Sequence, residues 1–344
     1  MSSAAEERTS ISNSYWQGRN VLVTGATGLL GGWLAPALIG RGAKVTALAR
    51  HEAPHSLLAR GGWLPRISSV FGSVCDRDLI RGLLAERSFE TIFHLGGQPL
   101  VDVARKDPVS TLETNVRGCW ILLDAAREAG VGQIVMASSE KAYGAGSRMP
   151  YREDAPLQGR YPYGVSKSCA DLIAGMYAHT YGVRVAIARC VNLFGGGDRN
   201  FSRLIPGVIQ ATLRSQSFQI RGDGKSIRDF LYVEDAVEAY LTLAEHLAED
   251  ASLAGEAFNF CQGLHMTMLD LTEKILALMG RPELRPVVQN IGKPDHLSQG
   301  LDASKAHQRL GWEARIGLEE GLRRTIAWYR QHMQEAVAVA PVGA

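Results

Sequence analysis

Val21-Leu22-Val23-Thr24-Gly25-Ala26-Thr27-Gly28-Leu29-Leu30-Gly31 is the stretch on which the fold turns. The apolar Val21–Thr24 run reads as a short buried strand, and Leu29–Ile39 reads as a helix. Three glycines in GxxGxxG spacing join them. Gly25 permits the tight turn, Gly28 lets the backbone approach a pyrophosphate, and Gly31 lets the helix sit close to the sheet. The N–H groups of the first helical turn, around Thr27, Leu29 and Leu30, then face the phosphates. A glycine triplet alone is a weak signal, but strand, turn and helix in this order is the context that a dinucleotide site requires.

Working outward, Lys44–Ala49 is the next strand, and Ile67–Val74, Thr91–Leu95, Gln133–Ser138 and Val183–Arg189 continue the series with helical patterns between them. Such alternation reads as βαβ units, hence an α/β fold with a Rossmann-type doubly wound parallel sheet. Residues 15–190 would form the dinucleotide-binding domain. Residues 191–335, with shorter elements and helices at Leu204–Arg214, Val233–His246 and Met268–Met279, would be a smaller α/β C-terminal portion for substrate; 1–14 and 336–344 read as flexible tails. In such a fold an acid after the second strand holds the ribose 2′-hydroxyl of NAD, whereas a base suits the 2′-phosphate of NADP. Here the strand ends Ala49-Arg50-His51. Arg50 leans towards NADP, and a solvated charge is the competing reading, so both dinucleotides stay open. Ser73 and Val74 are placed near the adenine.

The rest of the composition excludes more than it assigns. Of 344 residues, 46% are apolar and 21% charged, with net charge +2, which argues against a protein that coats nucleic acid or anionic membrane. No apolar run approaches the roughly 20 residues of a membrane span. Residues 1–14 carry Glu6, Glu7 and Arg8 and lack the apolar core of a signal peptide. The five cysteines are scattered, with no CxxC, which excludes a zinc ribbon and a disulfide framework, leaves no metal site in view, and fits a reducing cytoplasm.

Two constellations carry chemistry. Tyr163-Gly164-Val165-Ser166-Lys167 sets a phenol and an ammonium at i, i+4 on one helix face. An ammonium beside a phenol favours phenolate, which makes a general base for a hydroxyl, and the lysine can also hold the nicotinamide ribose. Ser138-Ser139-Glu140-Lys141 follows a buried strand at its carboxyl end, where doubly wound folds bind ligands. Ser139 can hydrogen-bond the hydroxyl that Tyr163 deprotonates, and Glu140 with Lys141 can supply an acid and a base. Which residue takes which role stays open at this level. His94, at the end of a strand, reads as structural.

Together with Phe93-His94-Leu95-Gly96-Gly97-Gln98, Thr114-Asn115-Val116-Arg117-Gly118, Arg189-Cys190-Val191-Asn192, Arg228-Asp229-Phe230 and Leu310-Gly311-Trp312, these motifs resemble the extended short-chain dehydrogenase/reductases, and within them the nucleotide-sugar epimerases and dehydratases. The resemblance runs from about Trp16 to Tyr329. His94–Val101, Gly195–Asp198 and Arg203–Pro206 look most like CDP-glucose 4,6-dehydratases, which carry Ser-Asp-Lys where this chain has Ser139-Glu140-Lys141.

The resemblance implies catalytic Ser139, Glu140, Lys141, Tyr163 and Lys167. It implies a tightly bound, recycled NADP or NAD held also by Leu95, Gly96, Gly97 and Asn115. It implies a nucleoside-diphosphate sugar bound by Gln98, Ser139, Asn192, Arg203 and Arg228, with Asp295 and His296 near the nucleotide. The reaction would be transient C4 oxidation, loss of water across C5 and C6, and return of the hydride to C6. Alternatives are a 4-epimerase or related hexuronic-acid enzyme, for which Glu140-Lys141 would be superfluous, and a non-catalytic binder of the same ligands. A homodimer is implied, through a four-helix bundle built from Val109–Gly130 and Pro162–Tyr181.

Overall fold

The computed structural model describes residues 14–144, 149–291 and 300–338. In chain order its strands are β1 (Asn20–Thr24), β2 (Lys44–Ala49), β3 (Ser68–Phe71), β4 (Thr91–His94), β5 (Gln133–Ser139) and β6 (Val185–Cys190). There follow β7 (Asn192–Phe194), β8 (Gln219–Ile220), β9 (Ile227–Arg228), β10 (Phe230–Tyr232), β11 (Ala257–Phe260), β12 (Met266–Thr267) and β13 (Val287–Val288). The main helices are α1 (Leu29–Gly40), α2 (Arg77–Glu86), α3 (Gly118–Ala129), α4 (Pro162–Tyr181), α5 (Leu204–Leu213), α6 (Val233–Glu249), α7 (Met268–Leu278) and α8 (Leu318–Ala338).

Seven strands make one sheet in the order β11-β6-β5-β4-β1-β2-β3, every neighbouring pair parallel. Successive side chains of a strand point to opposite faces. Val21, Val23 and Val135 accordingly enter the core shared with α1 and α6, while Leu22, Ile134 and Met136 enter the core shared with α2, α3 and α4. Both faces are therefore covered, which is why these strands read as continuous apolar runs. Strand order reverses between β1 and β4, and that switch point opens the ligand crevice of a doubly wound sheet. The third strand is shorter than the expected Ile67–Val74. Gly72 N still donates to Ala49 O (2.9 Å), but beyond it Ser73 Oγ accepts from Cys75 N at 3.1 Å, and Asp76 caps α2 through Leu79 N.

The expected boundary at residue 190 is crossed by the chain. After β7, residues 233–260 return to the first domain: α6 packs against α1, and β11 joins the sheet beside β6. What remains separate is a third core drawn from β7, α5, β10, α7 and α8. Beside it lie three two-stranded pairs, β7 with β10, β9 with β12, and β8 with β13.

Candidate active site

Residue geometry at the switch point explains the glycines. Gly25 has φ +71°, and a Cβ there would lie 2.8 Å from Gly96 N across the crevice. A Cβ on Gly31 would lie 2.4 Å from Gly25 O, so α1 could not rest on the turn. Helix α1 begins after Gly28 with no side-chain cap, which leaves its first-turn N–H groups to a ligand. Opposite, Gly96 N donates to Thr24 Oγ1 (2.9 Å), and that hydroxyl also meets His94 Nδ1 (2.9 Å). Burial, with Lys167 nearby, pushes His94 down to about 3, so it stays a neutral structural link.

The Gly97–Gln98 loop is fixed by Asn115, which sits on a π-helical turn, Glu113–Arg117, just before α3. Asn115 accepts from Gln98 N (2.7 Å) and donates to Gln98 O (3.0 Å) and Ser166 Oγ (2.9 Å). A Cβ on Gly97 would lie 2.9 Å from Asn115 Oδ1 and 3.9 Å from Lys167 Nζ. The glycine turn, this loop and Lys167 thus line one crevice. Its lack of Cβ atoms and its uncapped helix end fit the pyrophosphate and nicotinamide ribose of a dinucleotide. Arg50 is exposed just beyond β2, and Ser73 and Val74 occupy the loop after β3.

The chemical groups sit at the carboxyl end of β5. Ser139 caps a single 3-10 turn, Glu140–Tyr143, through Lys141 N. Lys167 Nζ donates to Ala137 O at 2.9 Å, tying α4 to β5. Gly164 lets the first turn of α4 descend onto the 140–143 turn, since a Cβ there would lie 2.8 Å from Lys141 O. The Tyr163–Lys167 face and the Ser139–Lys141 segment are thereby neighbours.

Glu140 and Lys141 form an ion pair, Nζ to Oε1 at 3.1 Å, with the carboxylate side chain 1% exposed and the lysine 20%. Burial pushes Lys141 below the ordinary lysine range; Glu140 opposes that and Arg228 adds to it. Arg228 is itself lowered by burial, against the pull of Glu140. Glu140 Oε2 is buried and has no hydrogen-bond partner among the described residues.

Beneath lies a polar network that the sequence motifs did not reveal as such. Arg189 donates to Asp171 Oδ2 (2.6 Å) and to Tyr143 OH (2.7 Å), and Tyr143 OH donates to Asn259 Oδ1 (2.8 Å). It joins α4, β6, the 140–143 turn and β11.

Three candidate substrate contacts make bonds within the protein. Gln98 spends its side-chain N–H groups on Leu100 O and Thr111 Oγ1, so it shapes its own loop. Asn192 directs its amide to Glu140 Oε1 (3.1 Å) and Asp229 O (3.2 Å). Arg203 pairs with Asp198 at 3.1 Å. Asp295 and His296 lie outside the described residues. Among the described residues no cluster of three His, Cys, Asp or Glu is placed to hold a metal ion, and no helix is long and apolar enough to cross a membrane.

Comparison with known proteins agrees with this geometry. The sequence model of the NAD dependent epimerase/dehydratase family matches residues 21–261. CDP-glucose 4,6-dehydratase of Salmonella typhimurium is 32% identical over 93% of this chain and 93% of its own length. A dTDP-glucose 4,6-dehydratase of an Actinoplanes species is 32% identical over 90% of this chain and 97% of its own. Among solved structures, a dTDP-glucose 4,6-dehydratase from Streptomyces venezuelae with NAD bound superposes with a TM-score of 0.82 at 28% identity, covering 92% of this chain and 98% of that one. A UDP-glucose 4-epimerase from Thermotoga maritima with UDP-glucose gives 0.82 at 26% identity, covering 91% and 99%.

Proposed function

Since the chain belongs to the NAD dependent epimerase/dehydratase family, we propose that it is a nucleoside-diphosphate-hexose 4,6-dehydratase, forming a 4-keto-6-deoxy sugar. The observation that carries this reading is the buried Glu140–Lys141 pair beside the Tyr163 helix. Epimerisation at C4 needs a hydroxyl base but no second acid–base pair at C5 and C6. The dehydratase relatives, at 32% identity, point the same way.

Gly25, Thr27, Gly28, Leu29, Leu30, Gly31, Leu95, Gly96, Gly97 and Asn115 would surround the dinucleotide, with Ser73 and Val74 towards its adenine and Lys167 at its nicotinamide ribose. When bound, that group supplies a reversible hydride acceptor, which makes the overall reaction redox-neutral. Tyr163 removes the C4 hydroxyl proton while Ser139 holds the same oxygen. The resulting ketone acidifies C5–H, and neutral Lys141 takes that proton; its depressed basicity suits the task. Glu140, protonated, gives its proton to the departing C6 oxygen. Arg228 is assigned to the substrate diphosphate. Arg50, directly after β2, leans the choice of dinucleotide towards NADP, with NAD as the alternative.

Helices α3 and α4 pack side by side and leave Trp120, Leu172, Met176 and Tyr181 exposed, with Val109 alongside. That apolar face supports a homodimer joined by a four-helix bundle. All five cysteines are free thiols, which suits a reducing cytoplasm.

The test is incubation of purified protein with CDP-, dTDP-, GDP- and UDP-hexoses, without added nicotinamide, followed by mass analysis. Loss of one water from one donor is the expected result and names the nucleobase. An isomer of unchanged mass would replace the dehydratase reading with the epimerase one, and no change with any donor would favour a binding protein.

A further inference from the structure

We propose that Ser168 is a positioning residue for Lys141: its hydroxyl fastens the Glu140–Tyr143 turn to α4 and so sets the lysine against the Tyr163 phenol. The inference rests on the dehydratase reading and names what aligns its two proton acceptors. Tyr163 works at C4 and Lys141 at C5, adjacent carbons of one sugar ring, so the two groups must keep a fixed spacing. A misplacement of about 1 Å can cost about 10²-fold in rate. Yet they stand on different elements, the phenol on α4 and the amine on the 3-10 turn after β5.

Helix α4 presents two neighbouring ridges of residues four apart. Tyr163 and Lys167 form one, with Lys167 Nζ on Ala137 O at 2.9 Å. Gly164 and Ser168 form the next, and both meet the turn. Lys141 O lies where a Cβ on Gly164 would come within 2.8 Å. The following carbonyl, Ala142 O, accepts from Ser168 Oγ at 2.8 Å. A serine inside a helix can simply bond the carbonyl four residues back, and Gly164 O is 3.1 Å away. The hydroxyl has a single hydrogen, however, and Ala142 O is the nearer acceptor. Ser168 is buried, and its oxygen accepts from Gly159 N at 3.3 Å, so the hydroxyl is held from both sides.

The step that this contact serves is proton removal at C5. The C5–H bond breaks, the proton passes to Lys141 Nζ, and the electron pair enters the C4 ketone as its enolate. Oxidation at C4 draws instead on Tyr163, Lys167 and Ser139, none of which bonds the Ser168 hydroxyl. Without that hydroxyl, Ala142 O keeps a donor in Gln158 N at 3.1 Å, and alanine favours the helix. The fold therefore survives Ser168→Ala, while the turn that carries Lys141 loses its tie to α4.

The test uses the purified protein with its dinucleotide, comparing wild type with Ser168→Ala and with Ser168→Cys, whose thiol is a weaker donor of similar size. Single-turnover reactions with the donor that the wild type dehydrates are quenched and weighed. Mass separates the parent sugar, the 4-ketone that retains its C6 oxygen, and the dehydrated product. In Ser168→Ala the parent should be oxidised within about twofold of the wild-type rate, and the 4-ketone consumed about 10-fold more slowly. Ser168→Cys should fall between the two in that second phase alone. Calorimetric affinity for CDP and dTDP should hold, and melting should shift by no more than about 4 °C. Consumption of the ketone at the wild-type rate overturns the proposal. So does an equal slowing of both phases, or the failure of both variants to fold, since Ser168 would then be a general support. A wild type that releases water from no donor fails at the earlier step and removes the dehydratase reading together with this one.

Discussion

A lysine that accepts a proton near neutral pH must be largely uncharged there, and Lys141 is surrounded accordingly. Burial and the Arg228 guanidinium disfavour its ammonium form, which Glu140 supports. Removing Arg228 therefore raises the basicity of Lys141 and moves the acid limb of the kcat profile to higher pH. Arg228→Leu should show that displacement in stopped assays with saturating donor, along with a raised KM from loss of the proposed diphosphate contact. Lys141→Met should abolish water loss by at least about 10²-fold while retaining the dinucleotide. His94 makes a stability prediction. Its folded value, about 3 against 6.5 unfolded, means that stability is fully present above pH 6.5 and is lost as pH falls towards 3. Between pH 7 and pH 5 the wild type should lose about 2 kcal/mol that His94→Asn does not lose, measured by urea unfolding at both pH values.

Among the elements, α4 shows best what a sequence can and cannot disclose. Its bounds, Pro162–Tyr181, follow from the proline at its start and the glycine after its end, and the i, i+4 spacing puts Tyr163 and Lys167 on one face. The closeness of that face to Lys141 depends on Gly164, whose role only the tertiary contact reveals. Gly164→Ala should lift the first turn of α4 and slow turnover by about 10-fold or more, with the helix-favouring alanine changing stability by no more than about 1 kcal/mol; paired activity and melting measurements check it. The π turn at Asn115 was not legible, because its extra residue serves the Gly97–Gln98 loop and leaves no mark on apolar periodicity. Strands β7 and β10, three residues each, are too short to show alternation. The Asn192 amide escaped for another reason: it bonds a residue far off in sequence, and no local rule encodes that choice.

At the scale of the whole molecule, the Arg189–Asp171 pair ties α4 to β6, and Tyr143 with Asn259 extends that tie to β11. The Arg189 and Asp171 side chains are nearly excluded from solvent, 7% and 1% exposed. Arg189→Leu would strand the carboxylate and cost about 3–5 kcal/mol in unfolding free energy, measured by denaturant titration. On the outer face of α3 and α4, Leu172→Glu should convert the proposed dimer to a monomer in light scattering, while the fold, read by circular dichroism, is unchanged. The parallel sheet itself was legible in the N-terminal half, since β1, β3, β4 and β5 are each followed by a covering helix. Its outer strand, β11, was not, because it arrives only after the chain has built β7, α5, β10 and α6.

That late arrival dictates an order of assembly on the ribosome. The outer edge of β6 gains its neighbour only when Ala257–Phe260 has emerged, and Tyr143 gains Asn259 at the same moment. At about 5–20 residues per second, the nascent sheet waits several seconds with one open, apolar edge. The N-terminal half released by itself, as residues 1–190, would keep that edge permanently and self-associate, whereas a fragment ending beyond residue 260 would close it.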